Sequence, residues 1–334
     1  MAKPNLFTYA TSELSQDAMI CWLLAWADPN NSSNIQMYHI GVAFLNSLFE
    51  KFAEVQAPSV YWKIEIKKQY KGIDVLCIVN DEFVLLIEDK TGTKNHSRQL
   101  SRYMEIVKKD FQSKNILPIY FKTQDQGMYN EVLSKGYRLY LRKDFLKIFP
   151  KKCMNHMLID YREYLQTIED DVNSYQETVY DKWGWGAVKG FFMRLQQELN
   201  EGNWDYVPNP SGGFYGFWWH THKLNKYKIY LQIDAIRSNK KTILVLKIKL
   251  ASGTKEKIDI DVLRFWKKHI LEENESFDIK KPKVVRRGRW TTIGIVEDFL
   301  VLNLVDKKID ISKTVEKIHQ IEHVFESKIS KRNI

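Results

Sequence analysis

The sequence predicts an α/β fold: a core with a central mixed β-sheet flanked by helices, followed by a C-terminal α+β domain. Three observations predict it. In the first half, strand-like apolar runs are interspersed with helix-period segments in the order α-α-β-β-β-α-β-(β)-α. After about residue 200, four strand-like runs follow one another, as in a mostly antiparallel sheet. Finally, 334 residues with 44% apolar and 28% charged content suit two folded cores and argue against disorder. The predicted domains are residues 1–172 and 175–334, with the boundary near Asn173 to Asp181.

Residues 12–28 predict a helix: Ser12 is its N-cap, Glu13 lies in its first turn, and Leu14, Ala18, Cys21, Trp22 and Ala25 form its apolar stripe. The Pro29 to Asn34 segment reads as a loop. A second helix is expected over about Tyr38 to Val55, burying Val42, Leu45, Leu48, Phe49 and Phe52. Strands follow at Tyr61–Gln69, Ile73–Val79 and Phe83–Glu88, the last two joined by the turn-like Asn80-Asp81-Glu82. A helix over about Ser97–Asp110 leads to a strand at Ile116–Phe121, which Pro118 marks as an edge or a strand start. Tyr137–Arg142 reads as a further strand and Met157–Ser174 as a helix.

In the C-terminal domain a helix over Trp185–Asn200 precedes a loop rich in Pro and Gly. Strands are predicted at Gly216–Thr221, Tyr227–Ala235, Thr242–Leu250 and Trp290–Ile295, and helices at Ile260–Glu273 and Ile311–Ile329. Neither an internal repeat nor a low-complexity segment is present.

The net charge of +10, from 51 bases and 41 acids, favours polyanionic partners. Three scattered cysteines, Cys21, Cys77 and Cys153, fit neither a zinc knuckle nor a disulfide framework, and a reducing cytoplasm is the expected compartment. The N-terminal residues lack a charged stretch followed by an apolar run, so no signal peptide is expected. No window of 18 uncharged apolar residues predicts a membrane span.

Chemistry concentrates between Gly72 and Tyr103. Asp74 opens one apolar run and Glu88-Asp89-Lys90 closes the next. In a strand, residues two apart share a face, so Glu88 and Lys90 point one way and the Asp89 side chain the other. An antiparallel hairpin brings Asp74 beside Glu88. Two such carboxylates make a hard oxygen site suited to magnesium or manganese. A lysine two residues on can hold a water or offset charge on a phosphate. The plain alternative is a solvated surface ion pair.

Asp74, thirteen residues, then Glu88-Asp89-Lys90 resembles the Asp-(x)n-Glu-x-Lys signature of the PD-(D/E)XK nuclease superfamily. Gly72-Ile73 stands where the leading proline would be, and Glu65 lies on the preceding strand. The resemblance implies a restriction-endonuclease-like core in residues 1–172 and a metal-dependent nuclease hydrolysing phosphodiester bonds of DNA, with endo- or exonucleolytic cutting left open and RNA as the alternative substrate. It further implies Asp74 and Glu88 as ligands of Mg2+ (or Mn2+), the Asp89 backbone carbonyl as a third ligand, and Lys90 as the residue positioning the attacking water. Gln99-Leu100-Ser101-Arg102-Tyr103 reads QxxxY, which places Gln99 and Tyr103 on one helix face. That segment resembles the motif following the active site in the RecB-like branch. Glu13, with Asp17 one turn later, resembles the extra acid that an N-terminal helix delivers to the metal; Glu13 is preferred. These features cover about residues 10–125.

Lys94, His96, Arg98 and Arg102 fit either phosphate contacts or an ordinary solvated face. The run Lys280 to Trp290, with Arg286, Arg287 and Arg289, fits either a nucleic-acid groove or a solvated connection. The aromatic segments Trp183–Gly186 and Phe214–His220 are read first as core, and second as a stacking platform or ligand pocket. His220 and His222 lack cysteine or acid partners at metal spacing and are not read as ligands. No GxxxxGK[ST] or GxSxG motif occurs. The competing reading is a non-catalytic nucleic-acid-binding or regulatory protein that keeps the nuclease fold. The C-terminal domain could bind nucleic acid, a ligand, a protein partner or a second copy of the chain.

Overall fold

The computed structural model describes residues 3–92, 98–150, 154–210, 212–272 and 277–330. They divide into two compact units, Met1–Asp170 and Asp171–Ile334.

In the first unit, α1 (Glu13–Ala25) and α2 (Ile35–Phe49) precede β1 (Ile64–Tyr70), β2 (Ile73–Val79) and β3 (Phe83–Lys90). Then come α3 (Gln99–Asp110), β4 (Asn115–Lys122), α4 (Asn130–Ser134), β5 (Arg138–Leu141), α5 (Arg142–Ile148) and α6 (His156–Asn173). The five strands form one mixed sheet in the order β1-β2-β3-β4-β5. β1, β2 and β3 pair antiparallel, while β3, β4 and β5 pair parallel. Asn80 and Asp81 adopt positive φ at the β2–β3 turn, a conformation their short polar side chains tolerate, and the Glu82 N–H donates to the Val79 carbonyl.

β2 and β3 are buried on both faces, which is why they read as continuous apolar runs. Val75, Cys77, Val79, Leu85 and Ile87 pack against residues of α1, α2 and α6. Leu76, Ile78, Val84 and Leu86 pack against Leu100, Tyr103 and Val107 of α3. The sheet is thus the middle layer of three.

Three expectations are corrected. Leu14 of α1 is 58% exposed, and the buried side of that helix is Gln16, Asp17, Met19, Ile20, Leu23 and Leu24. The predicted apolar stripe is out of phase with this buried side because two polar residues, Gln16 and Asp17, occupy it. α2 starts earlier and ends earlier than predicted, capped by Asn34, whose side chain accepts from the Met37 N–H. β4 is an interior strand despite Pro118: pairing with β5 begins at Ile119, one residue beyond the proline.

The second unit contains α7 (Trp185–Leu199), β6 (Asn203–Val207), β7 (Phe214–Leu224), β8 (Tyr227–Ser238), β9 (Lys241–Ser252), α8 (Ile260–Leu271), β10 (Ile279–Lys280), β11 (Trp290–Val296) and α9 (Ile311–Ser330). Its six-stranded sheet runs β10-β11-β9-β8-β7-β6, all antiparallel. Its core joins one sheet face, with Phe217, Leu231, Leu246 and Ile293, to residues of α7, α8 and α9. The short strands β6 and β10 were not foreseen. Among the described residues, no helix is long and apolar enough to cross a membrane.

Candidate active site

Strand register brings the predicted acids together. Val75 lies opposite Ile87, so Asp74 and Glu88 face each other one step beyond, at the end of the β2–β3 hairpin. The Asp89 N–H donates to Asp74 Oδ2 at 2.9 Å. Lys90 Nζ lies 2.6 Å from Glu88 Oε1 and 3.6 Å from Asp74 Oδ2, and it donates to the Asp89 carbonyl at 2.8 Å. From α1, Glu13 places Oε2 at 3.6 Å from the same ammonium, while its Oε1 accepts from the Thr91 N–H at 3.2 Å. The Ser12 cap sets the start of α1 and so puts Glu13 in the first turn, facing this point. Three carboxylates and one carbonyl surround a single positive charge.

The electrostatics are those of a site short of cations. Glu88 is 0% exposed, and its Oε2 has no hydrogen-bond partner among the described residues. Burial, then the Asp74 charge, pushes its carboxyl up to about 8. Burial works against the Lys90 ammonium, but Glu88, Asp74 and Glu13 outweigh it and hold the amine above its usual range. Hard oxygens, mutual repulsion and an unsatisfied buried carboxylate are the donor set a small divalent cation takes.

A second polar layer lies on the α1 side of the sheet. The Asp89 side chain turns there, as alternation requires, and accepts from Gln16 Nε2. Gln16 Oε1 accepts from Thr123 Oγ1 at 2.8 Å, and the Thr123 carbonyl accepts from Arg142 Nη1 at 2.6 Å. Arg142 also pairs with Asp125 and Glu169, each at 2.9 Å. Asp17 sits beside Asp89 and accepts from Gln69 Nε2 at 3.1 Å. Burial and the Asp74 charge raise Asp17 to about 6, and burial with the Asp17 charge raises Asp89 well above the carboxylate range. Lys122, beside Lys90 in the β3–β4 register, donates to the Thr91 carbonyl at 3.1 Å, and burial lowers it to about 8. Sequence reading missed this layer. Its signal was polar residues at core-facing phase: Gln16 and Asp17 in line with Ile20 and Leu23, and Lys122 closing an apolar strand.

The remaining predicted residues divide. Gln99 and Tyr103 are together on α3, with Gln99 Nε2 donating to the Tyr103 hydroxyl at 3.2 Å. Tyr103 is 3% exposed and packs with Ile73 and Leu76, on the sheet face that carries Asp74 and Glu88. Arg98 begins α3 in a left-handed conformation, and the exposed Arg102 lies over the Tyr103 ring at 5.0 Å. Lys94 and His96 lie outside the described residues. Glu65 is not brought to the site: it stands opposite Ile78 and pairs with Lys67 at 3.0 Å. Arg286, Arg287 and Arg289 belong to the second unit; the first two are exposed, and Arg289 stacks on Trp290 at 4.6 Å. Arg289 lines a cavity of about 630 Å³ with Trp218, Lys228, Tyr230 and Lys249.

The sequence model of one family, the PD-(D/E)XK nuclease superfamily, matches residues 4–183, more than half of the chain. No curated protein and no solved structure matches it.

Proposed function

This chain belongs to the PD-(D/E)XK nuclease superfamily, and on that premise we propose that it is a metal-dependent nuclease hydrolysing phosphodiester bonds of DNA. The observation that carries the reading is the convergence of Glu13, Asp74, Glu88 and the Asp89 carbonyl on Lys90. Those four oxygen donors would hold Mg2+ or Mn2+. When bound, the cation supplies Lewis acidity beside the scissile phosphate.

The residues of the chain do the rest. Glu88 would release its proton to solvent on holding the cation, and the Asp89 N–H keeps Asp74 oriented through the 2.9 Å bond. Lys90 orients the attacking water and offsets negative charge on the phosphate oxygens. The Gln16–Asp89 contact fixes the strand whose carbonyl is the third donor. Gln99 and Tyr103 line the substrate path. Arg98 and Arg102 contact phosphates on either side, and Lys94 and His96 precede them in the chain. Arg286, Arg287 and Arg289 add backbone contacts from the C-terminal unit.

The test is incubation of the purified chain with plasmid, linear and single-stranded DNA and with RNA, in magnesium, manganese or chelator. We expect cutting of DNA that chelator abolishes, and a loss of at least about 100-fold in rate for Asp74→Ala and for Lys90→Ala, the scale of removing one charge-stabilising group. Circular plasmid nicked or linearised would identify an endonuclease. If every substrate survives while DNA is retained in a salt-sensitive way, the chain is a binding module.

A further inference from the structure

The register of β7 against β8 breaks at one place. Trp219 lies opposite Leu231 and His222 opposite Ile229, so His220 and Thr221 together face Tyr230 alone. This is a β-bulge, and its first residue, His220, has φ +52°. That conformation is normally left to glycine in such bulges. The consequence is a change of face. Trp219 points into the core; Thr221 lines the opposite face with Trp218; and beyond the bulge Leu224 packs on the core again. Regular alternation would put His220 on the Trp218 face. The bulge instead turns it to the side where His222 and α9 meet.

There the two imidazole rings are 5.0 Å apart and lie 5.9 and 5.7 Å from the Phe325 ring. Glu326, the next residue of α9, brings Oε1 to 3.1 Å from His220 Nε2. That oxygen lies off the direction of a ring hydrogen bond, and the buried Nε2 makes none among the described residues. Ligand atoms of His220, His222 and Glu326 all fall within 4.8 Å of one another. Two anchors hold the parts. Glu201 accepts the His220 backbone N–H, and Trp219 Nε1 donates to Glu322 Oε1 at 2.5 Å, one turn before Glu326. This overturns the expectation that the two histidines lack an acid partner.

We propose that His220, His222 and Glu326 form a zinc-class metal site that fastens α9 to the β7 bulge. Two imidazole nitrogens and one carboxylate are the borderline donors that zinc, cobalt(II) and nickel(II) prefer, whereas magnesium prefers oxygen alone. Three protein ligands leave a fourth position for water. The unusual backbone at His220 has its physical account here: it delivers a ring that the strand alone would aim elsewhere.

The experiment uses the full chain, stripped of metal and titrated with cobalt(II) and zinc. A visible cobalt d–d band with one tight equivalent is expected, together with zinc that survives desalting and a raised melting temperature. Asp74→Asn, which disables the nuclease centre, keeps that equivalent. His222→Ala and Glu326→Gln weaken it by more than about 100-fold, beyond the usual effect of losing an outer-shell partner. The Glu326 side chain is 49% exposed, so its substitution leaves the metal-free fold, read by circular dichroism, unchanged. Equal zinc affinity in Glu326→Gln and the unaltered chain overturns the proposal. So does a chain that retains no zinc, or one whose zinc is lost with Asp74→Asn alone.

Discussion

Glu88 holds its proton because its carboxylate has lost water and gained Asp74 as a neighbour. Its ordinary value is 4.5 and burial raises it to about 8, so within that window the folded chain carries a proton there that the unfolded chain does not. Stability of the metal-free protein therefore falls as pH rises through the window. Asp17 and Asp89, also raised, act in the same direction. Glu88→Gln should reduce this slope, leaving the part due to Asp17 and Asp89, as read from denaturant midpoints in chelator between about pH 5 and 8. Metal binding at pH 7 should release about one proton, seen as a buffer-dependent heat in calorimetry. The spacing from Asp74 to Lys90 was legible in sequence because it lies within one hairpin. The Gln16–Asp89 contact, across 73 positions, was not.

At the scale of elements, the β2–β3 hairpin could be read almost to the residue, since apolar runs between turn formers have few other conformations. β3 continues through Asp89 and Lys90, two charged residues that composition alone would leave outside a buried strand. α1 shows the converse. Its capped start was legible in Ser12, but its buried face was not, because Gln16 and Asp17 face inward to serve a polar layer. The α1 end and α2 approach closely at Gly41. A Cβ there would stand 2.5 Å from the Trp26 carbonyl carbon and 2.6 Å from the Ala27 nitrogen. Gly41→Ala should destabilise the fold by about 1–3 kcal/mol through overpacking, measured as a lowered urea midpoint with unchanged slope.

For the whole molecule, a net charge of +10 favours phosphate-bearing partners. In the second unit, Arg289 lies over Trp290 at a cavity with Trp218, Lys228 and Lys249 in its wall, and the backbone contacts proposed for Arg289 would fall there. Trp290→Ala should weaken single-stranded DNA binding by about 1–3 kcal/mol, the range for a lost base stack. Arg289→Ala should lower the slope of log affinity against log salt by about 1. Both are read by fluorescence anisotropy across a salt series, and unchanged affinity in Trp290→Ala would remove this cavity from the binding surface. By itself the sequence determined the two-part α/β organisation, the order of the longer elements and the Asp74, Glu88, Lys90 spacing, because apolar period, turn chemistry and strand alternation are properties of neighbouring residues; the short elements α4, α5, β6 and β10 escaped it. Only the tertiary structure decided that Glu13 meets Lys90, that Asp89 is held by Gln16, and that a bulge turns His220 toward Glu326. Those meetings depend on helix phase, sheet register and one local break in register, which are set by packing between elements remote in the chain.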